Sequence, residues 1–310
     1  MQKNLAVTSS PHLRSNNSTR RIMQYVCIAL APAGIAGIIL FGTNAAAIIV
    51  VSVLSCVLSE YLFQRIGHQK ITIGDWSAVV TGLLLAYNLP ANAPLWLPLI
   101  GGIIAIVLVK QCFGGIGCNF MNPALTARAI LFVSWAQIMN NYPKTRFMAD
   151  AVSAATPLTM IGEGGVTVSE LMLGNVGGVL GETCKIAIIA GGIFLLLTKV
   201  ADWRIPLCFI ATTFVCYLIQ GGFNTAILQI LSGGLLLGAF FMATDYATSP
   251  MSSVGRIIMG VGCGILVFVI RSYASYIEGC SFAILFMNVL TPMIDRFTAG
   301  KAFGEVKRHG

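Results

Sequence analysis

Charge is what this 310-residue sequence has least of: Asp, Glu, Lys and Arg together make up 10% of it, against about a quarter in an ordinary soluble protein. So few charged side chains cannot coat a soluble surface of this size, which excludes a cytosolic enzyme and a disordered tail. With three histidines and no C-x-x-C pair, the chain also lacks the ligand spacing of a zinc or iron–sulfur site. Its nine cysteines are scattered, mostly inside apolar runs, where they read as small core residues. The net charge of +8 is not a nucleic-acid signal, because Lys and Arg concentrate on alternate sides of the apolar runs.

Apolar residues, by contrast, make up 56% of the chain. Crossing about 30 Å of hydrocarbon takes roughly 20 helical residues. Ten candidate spans result: 22–41, 45–63, 77–90, 95–110, 123–139, 179–199, 205–220, 226–243, 254–272 and 279–297. The polar, basic segment 1–21 precedes a first run without a small-residue cleavage site, so that run reads as a retained helix. Runs 77–90 and 123–139 are short and bounded by Pro90 and Pro123. Broken spans persist only where protein or a cavity replaces lipid.

With the N-terminus inside, 15 of the 19 Lys and Arg residues fall on the inner side and Lys144, Arg146, Lys185 and Arg271 on the outer side. One helix more or fewer would destroy this bias, so the count and the orientation support each other. The expected organisation is a cytoplasmic tail 1–21, a first five-helix half 22–139, an extracytoplasmic loop 140–178, a second five-helix half 179–297 and a cytoplasmic tail 298–310. The two halves echo one another. Gly82-Leu83-Leu84-Leu85 recurs as Gly234-Leu235-Leu236-Leu237, and Gly117-Cys118-Asn119-Phe120 followed by Met121-Asn122-Pro123 recurs as Gly279-Cys280-Ser281-Phe282 with Met287-Asn288 and Pro292 beyond. Five spans per half is odd, so the second copy lies upside down, and discontinuous helices of inverted repeats build sites near the midplane.

Several polar residues interrupt this apolar background. Asp75 and Ser77 start the third span, where a helix cap explains them as well as a site does. Asp245 comes after the eighth span, as a functional acid or an ordinary loop residue. Glu60, deep in the second span, is either a cation ligand or proton carrier, or reaches the interface and pairs with Arg65. The turn from Gly114 to Ala124 offers three glycines, the amides of Asn119 and Asn122 and a helix restart at Pro123. It suits a planar heteroaromatic ring or an anion, or is a plain re-entrant turn. In the outer loop, Asp150-Ala151-Val152-Ser153-Ala154-Ala155-Thr156-Pro157 carries a Thr hydroxyl with no adjacent base, so any chemistry there is done to it by another protein.

Taken together, Ser9-Ser10-Pro11-His12, the segment Gly74 to Leu85, Gly114 to Ala124 and Phe240 to Pro250 resemble the D subunit of the Rnf complex, the ion-translocating ferredoxin:NAD oxidoreductase. The related B subunit of sodium-translocating NADH:quinone reductase shares the likeness, which runs nearly end to end. The resemblance implies an all-α integral membrane protein of about ten transmembrane helices in two inverted five-helix halves, similar to urea transporters. Asp150 to Thr156 looks like the family's flavinylation signature, D-x-x-[S/T]-G-A-T, in which a separate flavin transferase attaches FMN to the final Thr. That makes Thr156 the FMN acceptor and Asp150, Ser153 and Ala155 recognition positions, with Ala154 where the family has Gly. The family also implies a non-covalent riboflavin, expected near Asn119, Asn122 and Asp245. Implied partners are the other Rnf subunits (A, B, C, E and G), the transferase during maturation, Na⁺ or H⁺, and the bilayer of the cell inner membrane, with no nucleic acid. The chain would then be a component of a translocase, not catalytic alone. The rival expectation is a urea-transporter-like solute channel without a redox role, which would have no use for the Asp150–Thr156 signature.

Overall fold

The computed structural model describes residues 18–143, 145, 167–274 and 279–299. Its helices are α1 (Thr19–Phe41), α2 (Thr43–Ile66), α3 (Ser77–Tyr87), α4 (Trp96–Ile103), α5 (Pro123–Ser134), α6 (Ala136–Met139), α7 (Val168–Leu173), α8 (Lys185–Leu197), α9 (Arg204–Leu231), α10 (Leu235–Leu237), α11 (Ser253–Tyr273) and α12 (Cys280–Thr298). Two of them run on as π-helix, α4 through Ile104–Gln111 and α10 through Gly238–Met242. Among the described residues there is no β-strand, only one bridge between Pro90 and Val179.

The burial pattern of α2 shows what solvent this fold is built for. Its outward face carries Val50, Leu54, Leu58 and Leu62, each more than half exposed and four residues apart. Its inward face carries Ser52, Ser55, Ser59, Glu60 and Gln64, all buried. Apolar side chains outside and polar ones inside reverse the pattern of a water-soluble helix and match a helix in lipid. Small hydroxyls then join helices that have no hydrophobic reason to associate. Ser52 Oγ donates to the Gly82 carbonyl at 2.8 Å, and Ser55 Oγ to the Leu99 carbonyl at 2.7 Å. At Gly82 the α3 backbone comes so close to α2 that a Cβ would lie 2.7 Å from Val53 Cα.

All ten expected runs contain helix. Five of the helices (α1, α2, α9, α11 and α12) are long and apolar enough to cross a membrane, and α3, α4 with its π extension, α5 and α8 are shorter apolar helices. The expected separation of 205–220 from the next run falls at Gly222, and only the expected span 226–243 needs correction. α9 (Arg204–Leu231) is two helices joined across a kink at Gly222, whose φ of +82° and ψ of −179° are non-helical, and the second of them stops at Ser232-Gly233-Gly234. The next element is a short segment, Leu235–Met242, and not the second half of a continuous span.

Within each half the helices pack on their sequence neighbours, α2 on α3 and α4, and α9 on α11, while α1 with α8 and α5 with α12 join the halves. At 1.5 Å per residue α3 spans about 16 Å and the Leu235–Met242 segment about 12 Å, each near half a bilayer. The two meet at their C-terminal ends, where Asn88 Nδ2 lies 3.7 Å from Met242 Sδ.

Candidate functional site

A cleft with polar groups in its lining lies between the halves. Ile22, Met23 and Val26 of α1 face it, as do Val80, Thr81 and Leu84 of α3, Asn119 and Asn122 of the glycine turn, and Phe241 to Ala247 after α10. The space closed off by these side chains is about 90 Å³, and it opens into a wider region of about 780 Å³ that is continuous with solvent. Asn119, Asn122 and Asp245, chosen from the sequence, thus converge on one space although more than 120 residues separate the first from the last.

Each of the three is held differently. Asn122 caps α5, its Oδ1 accepting from the amides of Ala124 and Leu125 at 3.1 and 3.3 Å, while its Nδ2 donates to the Met242 carbonyl of the other half at 3.3 Å. Buried Asn119 donates to the Met121 carbonyl at 3.0 Å. Gly114, Gly115 and Gly117 turn the chain ahead of it with φ values of +111°, +92° and +83°, which side chains on Cβ disfavour. Half-buried Asp245 lies in the connection after the π segment, outside the helices, and accepts from the Thr248 hydroxyl at 3.4 Å. Burial lifts its carboxyl above the usual carboxylate range, against the lowering pull of the Ala247 amide, the Thr248 hydroxyl and the Tyr246 amide.

A buried ionic network forms one wall. Lys110, facing the cleft from the end of the π-helix, donates to both carboxylate oxygens of Glu60 at 2.9 and 2.8 Å and to Ser77 Oγ at 2.6 Å. Gln111 and Gln64 also donate to Glu60 Oε1, at 2.9 and 3.3 Å. The Ser77 hydroxyl donates in turn to Asp75 Oδ1 at 2.6 Å, and the Ser77 amide to the same oxygen at 2.9 Å. The pairing of Glu60 with Arg65 is therefore corrected, since Arg65 is exposed and Glu60 is fully buried against Lys110. Four donor contacts leave its carboxylate little capacity for a metal ion. Asp75 behaves as the turn-forming residue that the capping reading expected.

Below the cleft, buried side chains tie the halves together. Arg128 donates to Asn88 Oδ1 at 2.9 Å and to Ser281 Oγ at 2.6 Å. Asn288, with its amide oriented so that both ends are satisfied, accepts from the Asn122 amide at 3.2 Å. The echoed pairs Met121-Asn122 and Met287-Asn288 thus touch at the centre of the molecule. At the opposite end, Lys185 donates to the carbonyls of Glu182 and Gly233, and Arg271 to those of Gln229 and Ser232 at 2.7 and 3.1 Å. Both cations serve backbone carbonyls that the stop of α9 would otherwise leave bare.

Sequence reasoning missed Lys110, Arg128, Lys185 and Arg271 as interior groups and counted them as loop charges. Without Lys110, Arg128 and Lys185, all at most 5% exposed, the bias becomes 13 against 3 and keeps its sign. Thr156, Asp150, Ser153, Ala155 and Ala154 lie outside the described residues. Among those described, no group of three or more His, Cys, Asp or Glu side chains is placed to hold a metal ion.

Comparison with known proteins places the chain in a family. Residues 6–304 match the NQR2, RnfD, RnfE family. The chain is 47% identical to the D subunit of the Na(+)-translocating ferredoxin:NAD(+) oxidoreductase complex of Acetobacterium woodii, over 98% of this chain and 96% of that one. It is 38% identical to the D subunit of the proton-translocating ferredoxin:NAD(+) oxidoreductase complex of Clostridium ljungdahlii, over 98% of both chains. To the D subunit of an ion-translocating oxidoreductase complex of Escherichia coli it is 32% identical, over 97% of this chain and 99% of that one. With nearly its whole length matched and its relatives aligned end to end, the chain belongs to the NQR2, RnfD, RnfE family of membrane proteins.

Proposed function

We propose that this chain is the D subunit of an Rnf-type ion-translocating ferredoxin:NAD oxidoreductase, carrying FMN on Thr156 and a non-covalent riboflavin in the cleft between its halves. The observation that carries the reading is the convergence of Asn119, Asn122 and Asp245 on that cleft. Its walls suit a planar ring. Val80, Leu84 and Phe241 offer apolar surface, and the Asn119 amide, the Thr244 hydroxyl and the Asp245 carboxylate offer polar atoms for a ring edge. A bound flavin supplies exchange between one- and two-electron partners, and the protein positions and tunes it. The chain's own residues bind and orient the ring, while Lys110, fixed by Glu60 and Ser77, holds a positive charge at the cleft wall.

Ten crossings in two inverted halves, both termini cytoplasmic and the Thr156 loop outside, complete the reading. It is supported by the Lys and Arg bias and by two half-length segments meeting end to end. The halves, joined at Asn88, Arg128 and Ser281, form the two-state element through which electron transfer is coupled to Na⁺ or H⁺. Relatives named for each ion leave both open here.

Acid extraction of the purified chain and mass spectrometry of the extract test the cleft. Wild type is expected to release riboflavin, and Val26→Trp, which fills the cleft from α1, to release little. Equal release from both, or none from wild type, refutes the placement.

A further inference from the structure

We infer that the corner between α8, α9 and α10 is a binding site for one anionic phospholipid. Two adjoining spaces meet there and share Leu196 and Trp203. The upper one is polar and holds Lys199, Asp202 and Arg256. Arg256 donates to Asp202 Oδ2 at 2.5 Å, and Arg204 approaches the same oxygen at 3.3 Å. One carboxylate cannot balance three cations, so the cluster keeps two positive charges. Lys199 is exposed, has φ of +55°, and its ammonium has no polar partner among the described residues. An anion at this level meets a free ammonium beside two guanidinium groups already fixed in place.

The lower space is an almost wholly apolar groove along α9, between Trp203 and Phe214, closed behind by Ile230 and Phe240. Eleven residues of helix make it about 16 Å long, the depth of one leaflet of a bilayer whose core is about 30 Å thick. Trp203, 56% exposed, stands at the boundary between the spaces, with the Arg204 guanidinium 5.7 Å from its ring centre. An exposed Trp at the meeting of charged and apolar surface marks the headgroup level. A positive cluster above that level and a groove one leaflet deep below it match an anionic headgroup and its acyl chain. This inference does not depend on any flavin.

Native mass spectrometry of the purified full chain, titrated with phosphatidylglycerol or phosphatidylcholine of equal chain length, tests it. One phosphatidylglycerol is expected to be retained in preference to phosphatidylcholine. Lys199→Gln, at an exposed position that leaves folding intact, is expected to weaken that retention about fivefold, the worth of one cation near an anionic surface. Ala211→Trp, which fills the groove, is expected to remove retention of both lipids. Equal retention of the two lipids by wild type overturns the inference, as does unchanged retention in Lys199→Gln. High-yield cross-linking of Leu207→Cys to another protein of the intact complex also overturns it, because a partner would then occupy the groove.

Discussion

Replacing Glu60 by Gln leaves the Lys110 ammonium in the interior with no carboxylate beside it. At the observed 2.8 Å and an effective dielectric of about 20, the attraction between the two charges is about 6 kcal/mol. Desolvation of each ion costs several kcal/mol, so the intact pair contributes little net stability. Removing one partner is another matter, since the remaining buried charge is uncompensated and the loss is about 3–5 kcal/mol. Converted at about 2 °C per kcal/mol for a chain of this size, the melting temperature of the purified protein in detergent falls by about 6–10 °C. The double variant Glu60→Gln/Lys110→Met removes both charges and is expected to recover most of that loss. Thermal melts of wild type, both single variants and the double variant make a complete cycle. If Glu60→Gln melts with wild type, or the double variant is as unstable as the sum of the singles, the two charges do not hold each other. A loss of ion transport at unchanged stability would instead make Glu60 an ion carrier.

Three further outcomes rest on named contacts. Gly82→Val would place a Cβ 2.7 Å from Val53 Cα, so α3 must move off α2; a loss of about 1–3 kcal/mol is expected in a melt, and wild-type stability would show that the approach is not close. Asn122→Ala removes a helix cap worth about 1 kcal/mol and the bond to Met242; Asn122→Asp, which keeps the cap, is expected to recover about half of the loss. The acids of the connections respond oppositely to pH. At Asp202 burial raises the carboxyl, but the Arg204 amide and the Arg256 and Arg204 charges outweigh it and hold it below the usual range. Its stabilisation is therefore present above the unfolded-state pKa and lost as pH falls through the folded one. Asp245, raised by burial, loses stability as pH rises from its unfolded to its folded pKa, so Asp245→Asn gains stability at neutral pH while Asp202→Asn flattens the acid limb of the melting profile.

Much of this architecture was legible because lipid imposes simple rules. Run length, Pro90, Pro123 and the alternation of Lys and Arg located the helices, and the amides and acid interrupting apolar sequence, Asn119, Asn122 and Asp245, located the cleft. Long-range pairings were not legible. Glu60 finds Lys110 fifty residues away, and a local reading offered Arg65 because it lies one turn on. Lys185 and Arg271 looked like loop charges because nothing in their own segments shows that α9 stops at Ser232 and exposes carbonyls there. The gap expected between 220 and 226 holds Gly222, whose non-helical backbone separates two helices there, whereas the stop at Ser232-Gly233-Gly234 inside the expected span 226–243 was not legible.

The proposed redox role turns on the Asp150–Thr156 signature, and its most direct measurement uses the full chain co-expressed with a flavin transferase. The denatured protein is compared with Thr156→Ala by in-gel ultraviolet fluorescence, and the adduct is identified by mass spectrometry. A fluorescent wild-type band carrying FMN on Thr156 is expected, with a dark band for the variant. A dark wild-type band, with the transferase active on a control substrate, would contradict the proposed role and show that Ala154 is not tolerated in the Asp150–Thr156 signature.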